Sequence, residues 1–315
     1  MKVLKKKDTS RRRIAAVGMY DGVHRGHQFL INYLKLEGVY RNLHPAVVTF
    51  EEHPRALVRP LEAPSLLSTL PDRLKLLAAT GLDDVILLKF DDKMRRYPAK
   101  KFLGMLHTKY GVDALVVGFN NRFGRDRIDG IEQYRAIGRE IGMDILTAPE
   151  YSGDAHHVSS SIVRDFLYRG EVEKATEGLG RPFRLRGKVV SGKQIGRTIG
   201  FPTANIRPLS EKQLIPRAGV YAVLVTTPDG ERRPAMLNIG YRPTVDDTPD
   251  SRLTLEVNIL DFTGFLYGEE LSIDFIGYLR EEKKFPSLAK LKSRLESDAK
   301  KARKVVEAYL ASKKK

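Results

Sequence analysis

GMYDGVHRGHQ, Gly18 to Gln28, follows the apolar run IAAV (Ile14 to Val17) and precedes the helical pattern QFLINYLKLEG. A short buried strand, a glycine-rich turn and a helix, in that order, form the first half of a crossover unit. The turn carries His24 and His27 on either side of Gly26. At a strand-to-helix junction the first N–H groups of the helix have no internal partner, which suits the turn to phosphate. It makes a poor metal site, because no third soft ligand lies nearby and the chain has no cysteine. Two imidazoles there can instead stabilise the charge that builds on an attacked α-phosphate. Gly26 allows the backbone to approach a nucleotide closely. Histidines exposed at an ordinary turn are the plainer alternative.

Outward from this turn, apolar runs alternate with helical segments through the first half. Candidate strands are Ile14–Met19, Ala46–Phe50, Asp84–Lys89, Ala114–Val117 and Asp144–Thr147, and candidate helices lie near Gln28–Glu37, Leu70–Ala79, Ala99–Tyr110 and Gly130–Ile141. Strands separated by helices of this length imply an α/β, mostly parallel, Rossmann-like sheet. Such sheets bind ligands beyond the carboxyl ends of their strands, where the histidine turn falls. Two short helices follow, SSIVRDFLYRG and EVEKATEGLG, each stopped by a glycine. After Gly180 the pattern changes. FRLRGKVV, VYAVLVTT, PAMLNIG, LTLEVNILDF and LSIDFIGYL are short β-branched or aromatic runs divided by Gly, Pro and Asp. They predict a small antiparallel β-barrel of five or more strands, followed by a basic amphipathic C-terminal helix. The boundary is expected near Arg181, giving domains 1–181 and 182–315.

Composition narrows the partners. The net charge is +16 and the isoelectric point about 9.8, values that also suit an RNA-binding protein. The positive charge, however, gathers in KKKDTSRRR and in the final helix, with no interleaved arginine and aromatic platform for single strands. Nucleic acid is therefore not expected as an obligate partner. Mean hydropathy is −0.33 and no run approaches the roughly 18 apolar residues of a membrane span. The opening MKVLKKKDTSRRR has no apolar core and does not read as a secretory signal. A cytoplasmic protein is expected, a monomer or weak homo-oligomer acting on small molecules without a membrane partner.

Two further segments of the first half fit phosphate chemistry. NNRFGRDR surrounds Gly124 with arginines, and VSSSIVRDFL sets Ser159, Ser160 and Ser161 before an apolar-periodic run with Arg164 one turn on. Helix capping explains the serines as well as anion binding does. With YDGVHRGHQ, TFEEHP (Thr49 to Pro54), VVGFNNRFGRDRIDG (Val116 to Gly130) and VSSSIVRDFL in this order, the first half resembles the nucleotidylyltransferase half of the bacterial bifunctional riboflavin kinase and FAD synthetase family. The resemblance implies that His24, His27 and Arg164 bind ATP phosphates while an adenylyl group passes to FMN. It implies that Gly18, Asp21, Gly26, Ser159 and Ser160 line the nucleotide, and that Asn120, Asn121 and Arg125 help form the flavin site. Asn121 stands where family members often have an aromatic residue.

The second half has its own signal, GRTIGFPTAN, Gly196 to Asn205. Gly196 and Gly200 permit a tight backbone path, Pro202 fixes it, and Thr203 and Asn205 supply hard oxygen donors suited to Mg²⁺ when ATP completes the coordination. A β-turn with locally bonded Thr and Asn is the plainer alternative. Glu256, in the alternating run LTLEVNIL, is of a type that can take a proton from an alcohol attacking a γ-phosphate. Periodicity alone favours an exposed strand glutamate. The stretch from Phe183 to Leu295 resembles the riboflavin kinase module of the same family through GFPTAN, LIPRAGVYAV, NIGYRPT, LEVNILDF and LYGEEL. That resemblance implies Mg²⁺ and ATP contacts at Thr203 and Asn205 and a catalytic base at Glu256. It implies ATP and riboflavin as substrates of one half, giving FMN and ADP, and FMN and ATP as substrates of the other, giving FAD and pyrophosphate. A different nucleotidylyltransferase is the alternative that the kinase-like second half weakens.

Overall fold

The computed structural model describes residues 1–118, 123–126, 128, 130–151, 158–191, 200–242 and 252–313. The chain divides into two compact units, Met1–Val158 and Ser159–Lys315.

In the first unit, β1 (Lys2–Leu4), β2 (Arg13–Val17), β3 (His44–Phe50), β4 (Asp84–Leu88), β5 (Val112–Val117) and β6 (Asp144–Thr147) form one sheet in the order β1-β4-β3-β2-β5-β6. Every pairing is parallel. Alternate residues of each strand serve opposite faces. Ala15, Val17, Val48, Ile86 and Leu115 pack against α5 (Ala99–Tyr110), and α6 (Ile131–Ile141) adds partly buried residues to the same cluster. Ile14, Ala16, Val47, Val85 and Val116 pack against α1 (Arg25–Arg41) and α3 (Leu70–Ala78). The parallel, Rossmann-like sheet expected from the sequence is therefore present, with helices on both of its faces. From β2 the chain crosses through α1 to β3 on one side, and from β5 through α6 to β6 on the other. The switch point lies between β2 and β5, with the histidine turn directly after β2.

Several boundaries differ from expectation for identifiable reasons. Helix α1 begins at Arg25, before Gln28, because His24 caps it, and it runs through Gly38 to Arg41. Gly38 is not a stop. A Cβ there would come within 2.8 Å of the Leu43 carbonyl and 3.4 Å of Ile14, so glycine lets the helix lie close against its strand. Strand β2 ends two residues early, since Tyr20 and Val23 take positive φ angles of 51° and 40° in the turn. Strand β1 and the short helices α2 (Pro54–Val58) and α4 (Asp92–Arg95) had too few residues to give a period.

At the amino ends of the strands lies a buried ion pair. Arg13 Nε donates to Asp84 Oδ2 at 2.7 Å, both side chains are fully buried, and Arg13 Nη1 donates to the Tyr110 carbonyl at 2.8 Å. It stands at the opposite edge from the histidine turn, so its part is structural. Asp84→Ala would remove the buried counter-charge, leaving the guanidinium only the more distant Asp8 carboxylate at 3.5 Å, and should destabilise the first unit by about 3 kcal/mol. Chemical denaturation monitored by circular dichroism checks this; a midpoint within error of the parent would refute it.

The second unit opens with α7 (Ser160–Arg169) and α8 (Val172–Leu179), then β7 (Phe183–Val190), β8 (Ala204–Pro208), β9 (Gly219–Thr226), β10 (Arg232–Arg242), β11 (Arg252–Ile259) and β12 (Glu270–Arg280). The six strands close into an antiparallel barrel in the order β10-β11-β8-β7-β12-β9. Strand β8 grows directly out of the GFPTAN segment and was hidden by its Gly and Pro. Helix α9 (Leu288–Ser312) packs on its own barrel: Ala302 and Val306 join Ala222, Leu224, Met236, Leu260 and Ile276 in one apolar cluster. Beside them the buried Asp298 accepts a hydrogen bond from Arg280 Nε at 2.7 Å and forms an ion pair with Arg294, whose Nε is 3.1 Å away.

Candidate active sites

In the first unit the turn after β2 is held from several sides. Tyr20, fully buried, donates to the Ala16 carbonyl at 3.1 Å. The Asp21 carboxylate accepts from Leu67 N and Ser68 N at 3.0 Å and from Ser68 Oγ at 3.2 Å, while Gly22 N donates to Ser68 Oγ at 2.9 Å. Asp21 thus latches the turn to the segment before α3. Thr49 Oγ1 and Arg73 Nη1 both donate to the Met19 carbonyl at 3.1 Å, and Arg73 Nη2 donates to the Phe50 carbonyl. Gln28 Nε2 holds the Val23 carbonyl at 2.9 Å. Ser68, Arg73 and Gln28 were not among the residues singled out in the sequence. Arg73 had a signal: with Leu70, Leu74 and Leu77 it falls in the apolar stripe of α3, where a charge is out of place.

The two histidines are brought together. Their rings stack with centroids 3.6 Å apart and 22° between planes. His24 Nδ1 accepts the backbone N–H of His27 at 3.3 Å, which puts the His24 proton on Nε2 and makes that nitrogen a donor. His27 is half-buried, and its Nδ1, shut off from solvent, has no hydrogen-bond partner among the described residues. Burial, then the charges of His24 and Arg73, push the His27 pKa well below 6.5, so its ring is neutral at neutral pH. Gly26 has a second reason to be glycine. A Cβ there would stand 3.3 Å from the His24 ring and from the Val158 carbonyl. Gly18 likewise lies under the Tyr20 ring, 3.2 Å from where its Cβ would be.

An open cleft of about 1580 Å³ borders this turn, lined by Gly18 and Met19 and by His53 and Pro54 of the TFEEHP segment. Arg55, Arg96 and Arg125 give it positive charge, and Phe50, Phe90, Tyr97 and Phe123 give it ring surface. Arg125 stands on a pinned turn. Its N–H donates to the Tyr97 carbonyl at 2.8 Å, Phe123 N donates to the buried Tyr134 hydroxyl at 2.8 Å, and Asp126 accepts Ala99 N at 2.9 Å. A phosphorylated planar molecule matches this lining in charge and shape. Asn120 and Asn121 lie outside the described residues.

Ser159, Ser160 and Arg164 stand in the second unit. Ser159 Oγ accepts Ile162 N at 3.3 Å and caps α7, Ser160 is the first residue of that helix, and Arg164 is buried on it.

On the barrel, cross-strand register gathers the other group. Asn205 of β8 pairs with Glu256 of β11, which pairs with Asn238 of β10. Directly paired residues share a face with Cβ atoms about 5 Å apart, so these side chains form one row on the outer wall. Leu255 and Val257, on the alternate face, are buried. Two residues along from Glu256 on the same face, Asn258 Nδ2 donates to the Pro202 carbonyl at 2.8 Å and ties the Pro202–Thr203 segment to β11. Gly200 has φ of 84°, a left-handed conformation that favours glycine. Gly196 lies outside the described residues. Asn258 was missed as a site residue, and Asn238 entered only as the first residue of NIGYRPT, a segment expected to reach this site as a loop, whereas it lies on β10. Strand alternation marks a face without saying which polar residues on it meet.

Comparison with known proteins agrees with two active units. A family model described as FAD synthetase matches residues 6–162, and one described as riboflavin kinase matches residues 179–306. A bifunctional riboflavin kinase/FMN adenylyltransferase of Pseudomonas fluorescens is 37% identical over 291 residues, covering 92% of this chain and 92% of its own. That of Escherichia coli (strain K12) is 38% identical over 286 residues, covering 90% of each. A solved structure from Streptococcus pneumoniae, described as a macrolide-efflux protein, is 28% identical with a TM-score of 0.86, covering 96% of this chain and 98% of that one. Among the described residues of this chain, no helix is long and apolar enough to cross a membrane.

Proposed function

This chain belongs to the bifunctional riboflavin kinase/FMN adenylyltransferase family, and from that premise we propose how its residues divide the two reactions. The protein phosphorylates riboflavin to FMN and adenylylates FMN to FAD. Residues 182–315 carry the first reaction and 1–181 the second. This division, drawn where the helical pattern gives way to short β runs after Gly180, differs from the compact one after Val158. The observation behind the assignment is that each unit holds its own constellation: the stacked histidines in one, the row Asn205, Glu256 and Asn238 in the other.

For riboflavin phosphorylation, Glu256 accepts the proton of the ribityl primary hydroxyl as its oxygen attacks the γ-phosphorus of ATP and ADP leaves. Gly196, Gly200 and Pro202 shape the backbone around the nucleotide. The described residues hold no group of three His, Asp or Glu able to cage a metal. The Thr203 hydroxyl and Asn205 carbonyl, beside the Glu256 carboxylate, form an oxygen donor set that fits Mg²⁺ already carried by ATP. Bound there, the ion would offset charge on the phosphate oxygens.

For adenylylation, an FMN phosphate oxygen attacks the α-phosphorus of a second ATP and pyrophosphate leaves. His24 donates through Nε2, and His27 presents a neutral imidazole to the same phosphates. Asp21, Arg73 and Ser68 keep the turn in place, and FMN lies in the arginine-lined cleft with Arg125; Asn120 and Asn121 are assigned to FMN from the family resemblance alone. Both reactions draw on ATP, which supports a cytoplasmic enzyme; we assign it as a monomer or weak homo-oligomer without nucleic-acid or membrane partners. Purified protein given riboflavin, ATP and Mg²⁺ should release FMN first and FAD after it, with both products lost on chelation. FMN accumulating with no FAD would overturn the assignment of 1–181.

A further inference from the structure

Glu282, just beyond β12, sits over the row that holds Glu256. Its Oε1 lies 3.5 Å from Asn238 Nδ2. A Cβ added to Gly240 would be 2.7 Å from the Glu282 Cδ and closer still to Oε1, so Gly240 leaves the space that the carboxylate fills. Gly240 is two residues from Asn238 on the same face of β10, and its own partner Thr254 is two residues from Glu256. The Glu282 carboxylate is therefore a diagonal neighbour of Glu256. The residues before it are anchored: Arg280 to the buried Asp298 of α9 at 2.7 Å, and Glu281 to Arg217 at 2.7 Å. The C-terminal helix thereby fixes the strand end from which Glu282 reaches the row.

We propose that Glu282 is a positioning residue for riboflavin phosphorylation, holding the Asn238 amide so that Glu256, its cross-strand partner, keeps a fixed aim. An asparagine amide has two N–H donors in one plane. With one directed at Glu282 the plane is set, which leaves the second for an acceptor on the paired strand, where Glu256 is the direct cross-strand partner. Contacts of 3.5 Å shorten when substrate fills such a site. This inference rests on the reading of Glu256 as the base.

The test uses the full chain, with circular dichroism and thermal unfolding as the control on folding of the barrel and adenylylation of supplied FMN as the control on the other unit. Glu282→Ala should lower kcat for riboflavin phosphorylation roughly tenfold or more and leave KM for riboflavin nearly unchanged. Glu282→Gln, which keeps a carbonyl to accept the Asn238 N–H, should restore most of the rate. Gly240→Ala should reproduce the loss by displacing Glu282. In an Asn238→Ala background, Glu282→Ala should add nothing. Losses that simply add, or a Gln variant as slow as the Ala variant, would overturn the proposal. A Glu256→Gln protein that keeps kinase activity would instead overturn the underlying assignment. An inactive Glu256→Gln with a fully active Glu282→Ala would sink the positioning role alone.

Discussion

Replacing His27 with alanine is expected to slow FAD formation from supplied FMN by about 100- to 1000-fold, with riboflavin phosphorylation unchanged. That size is the usual cost of removing one preorganised donor from a site where charge develops. The preorganisation is visible in the stacked rings, 3.6 Å between centroids, and in the His24 Nδ1 that caps its own helix. His27 contributes no hydrogen bond through Nδ1 to the fold, so its loss should cost chemistry more than stability. Its protonation gives a second, independent readout. The folded protein holds His27 neutral well below 6.5, whereas the unfolded chain binds a proton there near pH 6.5. Below that pH the unfolded state binds more protons, so the native state loses stability as pH falls from about 6.5 toward the folded value. His27→Ala removes that loss and should shift acid unfolding to lower pH while abolishing most FAD synthesis. Product-resolved rates with supplied FMN, and fluorescence-monitored acid titration, check the two halves of the expectation. Equal loss of both activities in a folded variant would refute separate sites.

Much of this was legible along the chain, and what was not has a common cause. The parallel sheet followed from apolar runs of strand length set between helical periods. The barrel followed from β-branched runs cut by Gly, Pro and Asp. The histidine turn was legible because its chemistry is local: His24, Gly26 and His27 span one turn and cap one helix. How the turn is held was not legible, because the partners are distant in sequence. Asp21 meets Ser68, and Arg73 meets Met19 and Phe50. The charge of Arg73 in an apolar stripe marks it as unusual and the resemblance marks Asp21, but neither says what the residue holds. Gly38 shows the same limit from the other direction, since a glycine inside a helical pattern reads as a stop until the strand it packs against is known. On the barrel, alternation put Glu256 on a half-buried strand but could not name Asn205 and Asn238 as its neighbours. Register across three strands is set by closure of the whole barrel.

That register decides the second large effect. Glu256→Gln should reduce riboflavin phosphorylation by about 100-fold or more and leave conversion of supplied FMN to FAD intact. Glutamine keeps the length and hydrogen-bonding capacity of the side chain, and β11 keeps its backbone pairing with β8 and β10, so the barrel should be undisturbed. What is lost is the ability to accept a proton from the ribityl hydroxyl as the γ-phosphoryl group transfers. Binding of ATP and riboflavin depends on other residues, so KM values should change little and the loss should fall on kcat. Steady-state rates with riboflavin and FMN as alternative first substrates separate these outcomes. A variant that loses affinity for ATP and not turnover would move Glu256 from proton transfer to metal or nucleotide binding, alongside Asn205 in the same cross-strand row. Unchanged kinase activity would remove it from the site altogether.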